Sequence, residues 1–272
     1  MTFWQSVLAF LDSSMETPVS FGWFHLLWLA ITFLALIPLL RFPKRQSEDH
    51  VRRVVLTTAI VVIVLEVYKQ INYSFSYTDG IAFDYQWYAF PFQFCSTPMY
   101  IGLLAGLTKR GKVHESLCAY LATYAMFAGL AVMIYPNDVF ISTIGINIQT
   151  MICHGSMITI GVYLFAAGHV KLEHKTILKA MPVFAITVAL AAVMNEIAYR
   201  VGLLESETFN MFYVSPYCDP HLLIYKDVQA VVPFPFCLII YILGFTAAAY
   251  VILLLAMGIG KLVRKDKRTT VV

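Results

Sequence analysis

The sequence predicts an all-α, polytopic membrane protein with seven transmembrane helices, its N-terminus outside and its C-terminus in the cytoplasm. Three observations carry this expectation. Of the 272 residues, 60% are hydrophobic and only 13% charged, too little charge to cover a soluble domain of that length. Apolar runs of about 18 or more residues recur, the length that crosses a hydrocarbon core of roughly 30 Å at ~1.5 Å per residue. The basic residues, finally, gather in alternate connections between those runs.

The expected spans are 21–40, 54–72, 88–107, 116–134, 150–168, 177–199 and 232–258. Basic residues cluster in 41–53 (Arg41, Lys44, Arg45, Arg52, Arg53), in 108–115 (Lys109, Arg110, Lys112), in 169–179 (Lys171, Lys175, Lys179) and in the tail (Lys261, Arg264, Lys265, Lys267, Arg268). Alternating crossings put all of these on one side, leaving Lys69, Arg200 and Lys226 elsewhere. The positive-inside rule makes that side cytoplasmic. The net charge of +3 is therefore a signal of topology and no argument for a nucleic-acid partner.

One domain is expected over 1–272. Residues 1–20 form an outer interfacial segment without the features of a cleavable signal peptide. Within it, Phe3–Leu11 is too short to span and suits an amphipathic helix lying in the interface. Residues 200–231 form a long outer loop, in which Pro216 and Pro220, followed by Pro233 and Pro235, disfavour regular helix. Such a loop suits either a lid or a poorly ordered connector. Residues 259–272 form a basic cytoplasmic tail. The five cysteines have no paired spacing, and four lie in or beside spans, which disfavours a disulfide framework. The expected location is a multi-pass position in the plasma membrane of a bacterial cell.

Ionisable groups within spans are costly, so their positions are the main functional clue. His25, Glu66, Lys69, Cys95, His154, Asn195 and Glu196 come from five spans and fall in the same outer third. Cys95, Gly102 and Gly106 follow i, i+7, i+11 and share a face, and His154, Gly161 and Gly168 recur every seven residues. Each residue also has an ordinary structural role. A lone cysteine packs as a small apolar group, Glu66 and Lys69 at i, i+3 neutralise each other, Glu196 and Arg200 at i, i+4 do the same, and Asn195 joins helices.

A thiol becomes a useful nucleophile when a base takes its proton. Cys95 and His154 offer that pair, oriented by Glu66, Glu196 or Asn195, and a thioester could then pass an acyl group to an alcohol or water. In a bilayer the natural donor and acceptor are phospholipid and lysophospholipid. Metal ligation by His25, His154, Cys95 and Glu66 lacks any HExxH or Cys-x-x-Cys spacing, so neither metal nor cofactor is expected. A non-enzymatic transporter or lipid-binding protein using the same pocket is the alternative.

Several segments, in order, resemble those of the YwaF-like bacterial membrane proteins and a eukaryotic relative, an ether-phospholipid acyltransferase. They are Phe24-His25-Leu26, Glu66-Val67-Tyr68, Phe90-Pro91-Phe92-Gln93-Phe94-Cys95-Ser96, Ala128-Gly129 through Pro136-Asn137-Asp138, Cys153-His154-Gly155, Asn195, Asn210-Met211-Phe212 and Pro233-Phe234-Pro235. The resemblance implies acyl transfer between phospholipids, with Cys95 as nucleophile and His154 as base, and adds Gln93 and Asn210 to the pocket. Gln93 stands where the family usually has a histidine, and an amide cannot serve as a base.

Overall fold

The structure is a computed structural model that describes residues 2–41, 46–76, 80–206, 208–219 and 222–269. Among these it is all-α apart from one two-stranded ribbon, β1 (Phe75–Ser76) against β2 (Ala82–Phe83). A short helix α1 (Phe3–Leu11) precedes α2 (Trp23–Arg41) and α3 (Glu48–Asn72). A short helix α4 (Thr97–Leu107) follows the ribbon. Helices α5 (Lys112–Tyr120) and α6 (Met126–Ile134) form one rod through a π turn at Leu121–Ala125. Then come α7 (Ile144–Ala166), α8 (Lys175–Arg200), α9 (Leu223–Val231) and α10 (Phe234–Thr269).

Among the described residues, six helices are long and apolar enough to cross a membrane: α2, α3, the α5–α6 rod, α7, α8 and α10. Six of the seven expected spans thus correspond to long helices. Burial sorts them into two layers. The α5–α6 rod is 72% buried over its apolar window and α7 61%, whereas α2 and α10 are 17%, α3 22% and α8 33%. The central pair is therefore ringed by helices whose large apolar side chains, Phe33, Val64, Ile186 and Leu255 among them, remain exposed. Lipid is the solvent that suits such a ring.

The remaining expected span, 88–107, is not one helix. Only Thr97–Leu107 is α-helical, and a short 3-10 turn at Trp87–Ala89 leads into irregular backbone over Phe90–Ser96. Pro91 and Pro98 explain the break, because each lacks a backbone donor and Pro98 belongs in a helix's first turn. Yet the segment runs antiparallel along α3 for most of that helix's length. Gln70 donates to the Ala89 carbonyl at one end, Gly102 packs on Ala59, Gly106 packs on Leu56, and Arg52 reaches the Gly106 carbonyl at the other.

Other boundaries also move. Helix α3 starts inside the expected basic loop because Ser47 caps it and Glu48 and Asp49 occupy its first turn. Helix α10 continues into the expected tail as far as Thr269, since nothing in the lysine- and arginine-rich sequence breaks a helix. Residues 42–45, within the expected basic loop, lie outside the described residues. The loop 200–231 contains the nine-residue helix α9, which begins after Pro220 and ends before Pro233.

The bundle has two unlike ends. At the basic end lie the α4–α5 and α7–α8 connections, where Lys179 pairs with Glu115 at 2.7 Å and Arg110 pairs with Glu48. At the other, here the polar end, the amino-terminal segment closes on the α6–α7 connection: Met15 N donates to Ser142 O at 2.7 Å, and Asp12 accepts from Asn72 and Thr143. Phe3, Trp4 and Phe10 of α1 stay exposed on this end.

The α3–α4 contact depends on missing side chains. A Cβ on Gly106 would lie 2.6 Å from Leu56 Cβ and 2.9 Å from its Cα. Gly106→Val is expected to destabilise the protein by about 1–3 kcal/mol through overpacking, read as a lower unfolding temperature in detergent. Gly244→Ala, with open space around it, should leave that temperature unchanged.

Candidate functional site

Cys95 lies in the irregular stretch, one residue before the Ser96 cap of α4. A tight turn holds it there: Ser96 N and Thr97 N both donate to the Gln93 carbonyl, at 2.9 and 3.0 Å. The Thr97 hydroxyl donates to Phe94 O at 3.0 Å and meets the buried Tyr120 hydroxyl at 2.9 Å. Gly102 and Gly106 share the α4 face against α3, but Cys95 does not continue that face because the helix has not begun.

Beside this turn sits the buried Glu66. Its carboxylate takes Lys69 Nζ at 3.1 Å, Gln70 Nε2 at 2.8 Å and, from α7, Gln149 Nε2 at 3.3 Å. Gln70 in turn accepts from the Tyr85 hydroxyl at 2.6 Å. Burial and the Glu66 charge push the Tyr85 phenol up, so it remains a donor. The Glu66–Lys69 pair thus exists as the i, i+3 spacing suggests, within a larger network.

His154 is buried on α7, where Gly129 of α6 allows close approach: a Cβ there would lie 2.6 Å from the His154 carbonyl oxygen. Gly161 continues this face toward Met126, whereas Gly168 lies past the helix end with φ +69°. His154 Nδ1 is 2.7 Å from Thr150 O, which can only accept, so Nδ1 carries the ring proton. Nε2 then presents a lone pair, and it is buried without a partner. No hydrogen bond joins Cys95 to His154 in this conformation.

The other sequence-derived residues divide into two groups. Gln93, Asn195 and Asn210 clamp the loop between α8 and α9. Gln93 donates to Asn210 O at 3.0 Å and accepts from Phe212 N at 2.9 Å. Asn195 grips both backbone groups of Met211, at 3.0 and 2.7 Å, while Asn210 Oδ1 takes Ser215 N and Tyr241 donates to Phe212 O, both at 2.9 Å. These bonds hold Phe212 and Tyr213 at φ 57° and 56°, a left-handed backbone that costs roughly 1–3 kcal/mol per residue. The reward is a fully buried Phe212 packed on Phe94 and Phe184. This part of the loop is therefore a packed cover and not a loose connector.

His25 and Glu196 stand apart from the Cys95 turn. His25 accepts from Phe21 N at 2.8 Å at the start of α2 and donates to Met133 O of α6 at 2.9 Å, so both nitrogens are used. Neither is left for the metal-ligand role weighed from sequence. Glu196 pairs with Arg200 at 2.6 Å and accepts from Tyr217 at 2.5 Å on the exposed side of α8.

The structure also assembles a group that the sequence reading passed over. At the basic end, His114 and Cys118 of α5 meet His169 of the α7–α8 connection, their donor atoms all within 4.8 Å of one another. The i, i+4 spacing of His114 and Cys118 is visible in the sequence, but the third member lies 51 positions beyond Cys118, and only the packing of α5 against α8 and the connection before it reveals it.

Six membrane-length helices around a buried polar site define a polytopic α-helical membrane protein. Within that class, the TMEM164 family model matches residues 20–257, nearly the whole chain. The chain belongs to the TMEM164 family. No curated protein and no solved structure matches it.

Asn195 offers a direct test of the clamped cover. Asn195→Ala leaves the Met211 N–H buried and unpaired, at about 1–3 kcal/mol, and the Met211 carbonyl with only the 3.4 Å bond from Val214 N. Faster amide exchange over 209–215 and a lower unfolding temperature are expected, while Glu196→Ala should change either one little.

Proposed function

We propose that the chain is a membrane-embedded lipid acyltransferase, or an acyl hydrolase when water is the acceptor, with Cys95 as nucleophile and His154 as base. The observation that carries this reading is the buried His154 Nε2, which has no hydrogen-bond partner and whose lone pair is fixed by the contact of Nδ1 with Thr150 O. With the Nδ1 proton held by Thr150 O, Nε2 is the nitrogen available to take a proton. The resemblance to YwaF-like proteins and their acyltransferase relative supports the same pair.

In the reaction, the Cys95 thiol gives its proton to His154 Nε2 as the sulfur attacks the phospholipid ester carbonyl. The tetrahedral intermediate collapses to a Cys95 thioester, and the departing lysophospholipid alkoxide takes the proton back from the imidazolium. A second lysophospholipid hydroxyl, deprotonated by His154, then attacks the thioester, which returns the thiol. Lys69 and the amino-terminal end of α4 are the positive features available to the developing negative charge. Since no hydrogen bond joins the two residues at rest, substrate entry must bring sulfur and imidazole together.

An apolar groove of about 500 Å³ between α2, α6, α7 and α10 suits an acyl chain. It begins at Met126 and Ile158, one turn from His154, and runs to Leu172 and Gly260 at the basic end. The topology that accommodates this reading has seven crossings, the third made by 88–107 with its break at Cys95, and an N-out, C-in orientation from the basic loops. Non-helical backbone at that depth is tolerated when protein covers it, as the Asn210–Ser215 segment does here. The polar layer then faces the outer leaflet of the plasma membrane.

The break itself favours a second reading, a transporter or lipid-binding protein using the same pocket without turnover. Acyl transfer from phospholipid to lysophospholipid in mixed micelles separates the two. Cys95→Ala is expected to abolish transfer and the thioester adduct seen by intact-protein mass spectrometry, and His154→Gln to slow transfer by about 10²–10⁴-fold. Undiminished transfer by Cys95→Ala would remove Cys95 as nucleophile, and lipid binding without turnover in the wild type would favour the second reading.

A further inference from the structure

The His114, Cys118 and His169 group lies at the opposite end of the bundle from Cys95. His114 and Cys118 are fully buried and His169 is half-buried. His114 Nδ1 is 2.9 Å from the Ala105 carbonyl oxygen, so that nitrogen carries the proton and Nε2 presents a lone pair. A metal-bound imidazole is ordinarily prepared in this way, its second nitrogen donating to a carbonyl that sets ring and tautomer. The prepared lone pair points at His169 Nε2, 2.7 Å away, and Cys118 Sγ lies 3.5 Å from the same His114 nitrogen.

We propose that His114, Cys118 and His169 form a zinc(II) site at the basic end of the bundle, with a fourth position open to water or another ligand. Two imidazoles and a thiolate are a borderline-soft donor set that suits zinc, and three protein ligands plus an open place is a familiar arrangement for it. Zn–N of about 2.0–2.1 Å and Zn–S of about 2.3 Å place tetrahedral donors roughly 3.3–3.6 Å apart. The sulfur already meets that spacing to His114 Nε2 and lies within 4.8 Å of the His169 donor. The two imidazole nitrogens must separate by about 0.6 Å to reach it, a movement that the connection carrying His169 can supply more readily than a helix.

Binding releases the Cys118 proton to solvent and leaves a single net positive charge on the centre. Arg52 and Arg110 oppose that charge, while Glu48 and Glu115 favour it. The ion would fasten three pieces of backbone: the end of α4 through Ala105, the start of α5, and the α7–α8 connection. This assignment does not depend on the acyl-transfer reading, because no residue is shared between the two sites.

The full-length chain, purified in detergent from zinc-supplemented cells, should retain about one zinc per chain by elemental mass spectrometry. After removal of zinc, cobalt(II) should give a near-ultraviolet sulfur-to-cobalt charge-transfer band and the visible spectrum of a tetrahedral site. Cys118→Ser should abolish the charge-transfer band, His169→Gln should weaken cobalt binding at least tenfold, and Cys95→Ser should do neither. Absence of both zinc and the cobalt band in the wild type overturns the proposal, as does a band that persists in Cys118→Ser or retention of copper in place of zinc. If both site variants fail to fold, the wild-type metal content and cobalt spectrum still decide the matter.

Discussion

The stretch Phe90–Ser96 lies alongside a helix of membrane length without being helical, and its backbone polar groups must find partners in an apolar bundle. Each unmet group there costs several kcal/mol. Much of the polar end is organised to meet this demand. The Gln93 carbonyl takes two backbone donors, Thr97 takes Phe94 O, Gln70 reaches Ala89 O, and the Gln93 side chain anchors the cover at Asn210 and Phe212. The cover then needs its own anchors, which Asn195, Asn210 and Tyr241 provide. One break in a helix thus accounts for a network drawn from α3, α8 and α10.

That dependence separates two kinds of polar residue which a sequence presents alike. Gln93 and Asn195 have their capacity consumed by backbone, and their removal is a matter of folding. Glu66 is shared among Lys69, Gln70 and Gln149, a network that satisfies a buried carboxylate. His154 alone in this layer keeps an imidazole nitrogen with no protein partner. A buried group left so has either a ligand to meet or an unexplained cost, and the acyl-transfer proposal rests on the former.

Much of the fold was legible because lipid imposes a length and a polarity on each crossing. Six of the seven expected spans became long helices, with boundaries displaced where capping chemistry such as Ser47 outweighed hydropathy. The seventh was misread as continuous because hydropathy is blind to backbone. Phe90-Pro91-Phe92 is as apolar as any helix, and only the prolines hinted at the break. The candidate site was legible as a depth but not as a set of contacts. His25 and Glu196 share that depth yet turn to other partners, since spacing along one helix does not say which neighbour it will meet. The basic-end trio escaped for the converse reason: its third member lies in a connection, outside any helical period.

The three fully or nearly fully buried histidines show how backbone decides imidazole chemistry. His25 accepts a backbone N–H at Nδ1 and donates from Nε2, so it is consumed as a staple between α2 and α6. His154 and His114 each lose the Nδ1 proton's freedom to a carbonyl, which frees Nε2 as a lone pair. Their surroundings then diverge. At His154 the lone pair faces no partner, and the proposed proton transfer rests on that. At His114 it faces another imidazole and a thiol at near-ligand spacing, a setting for a metal ion. Residue type is the same in all three cases, and it is the acceptor or donor one helical turn or one loop away that assigns the role.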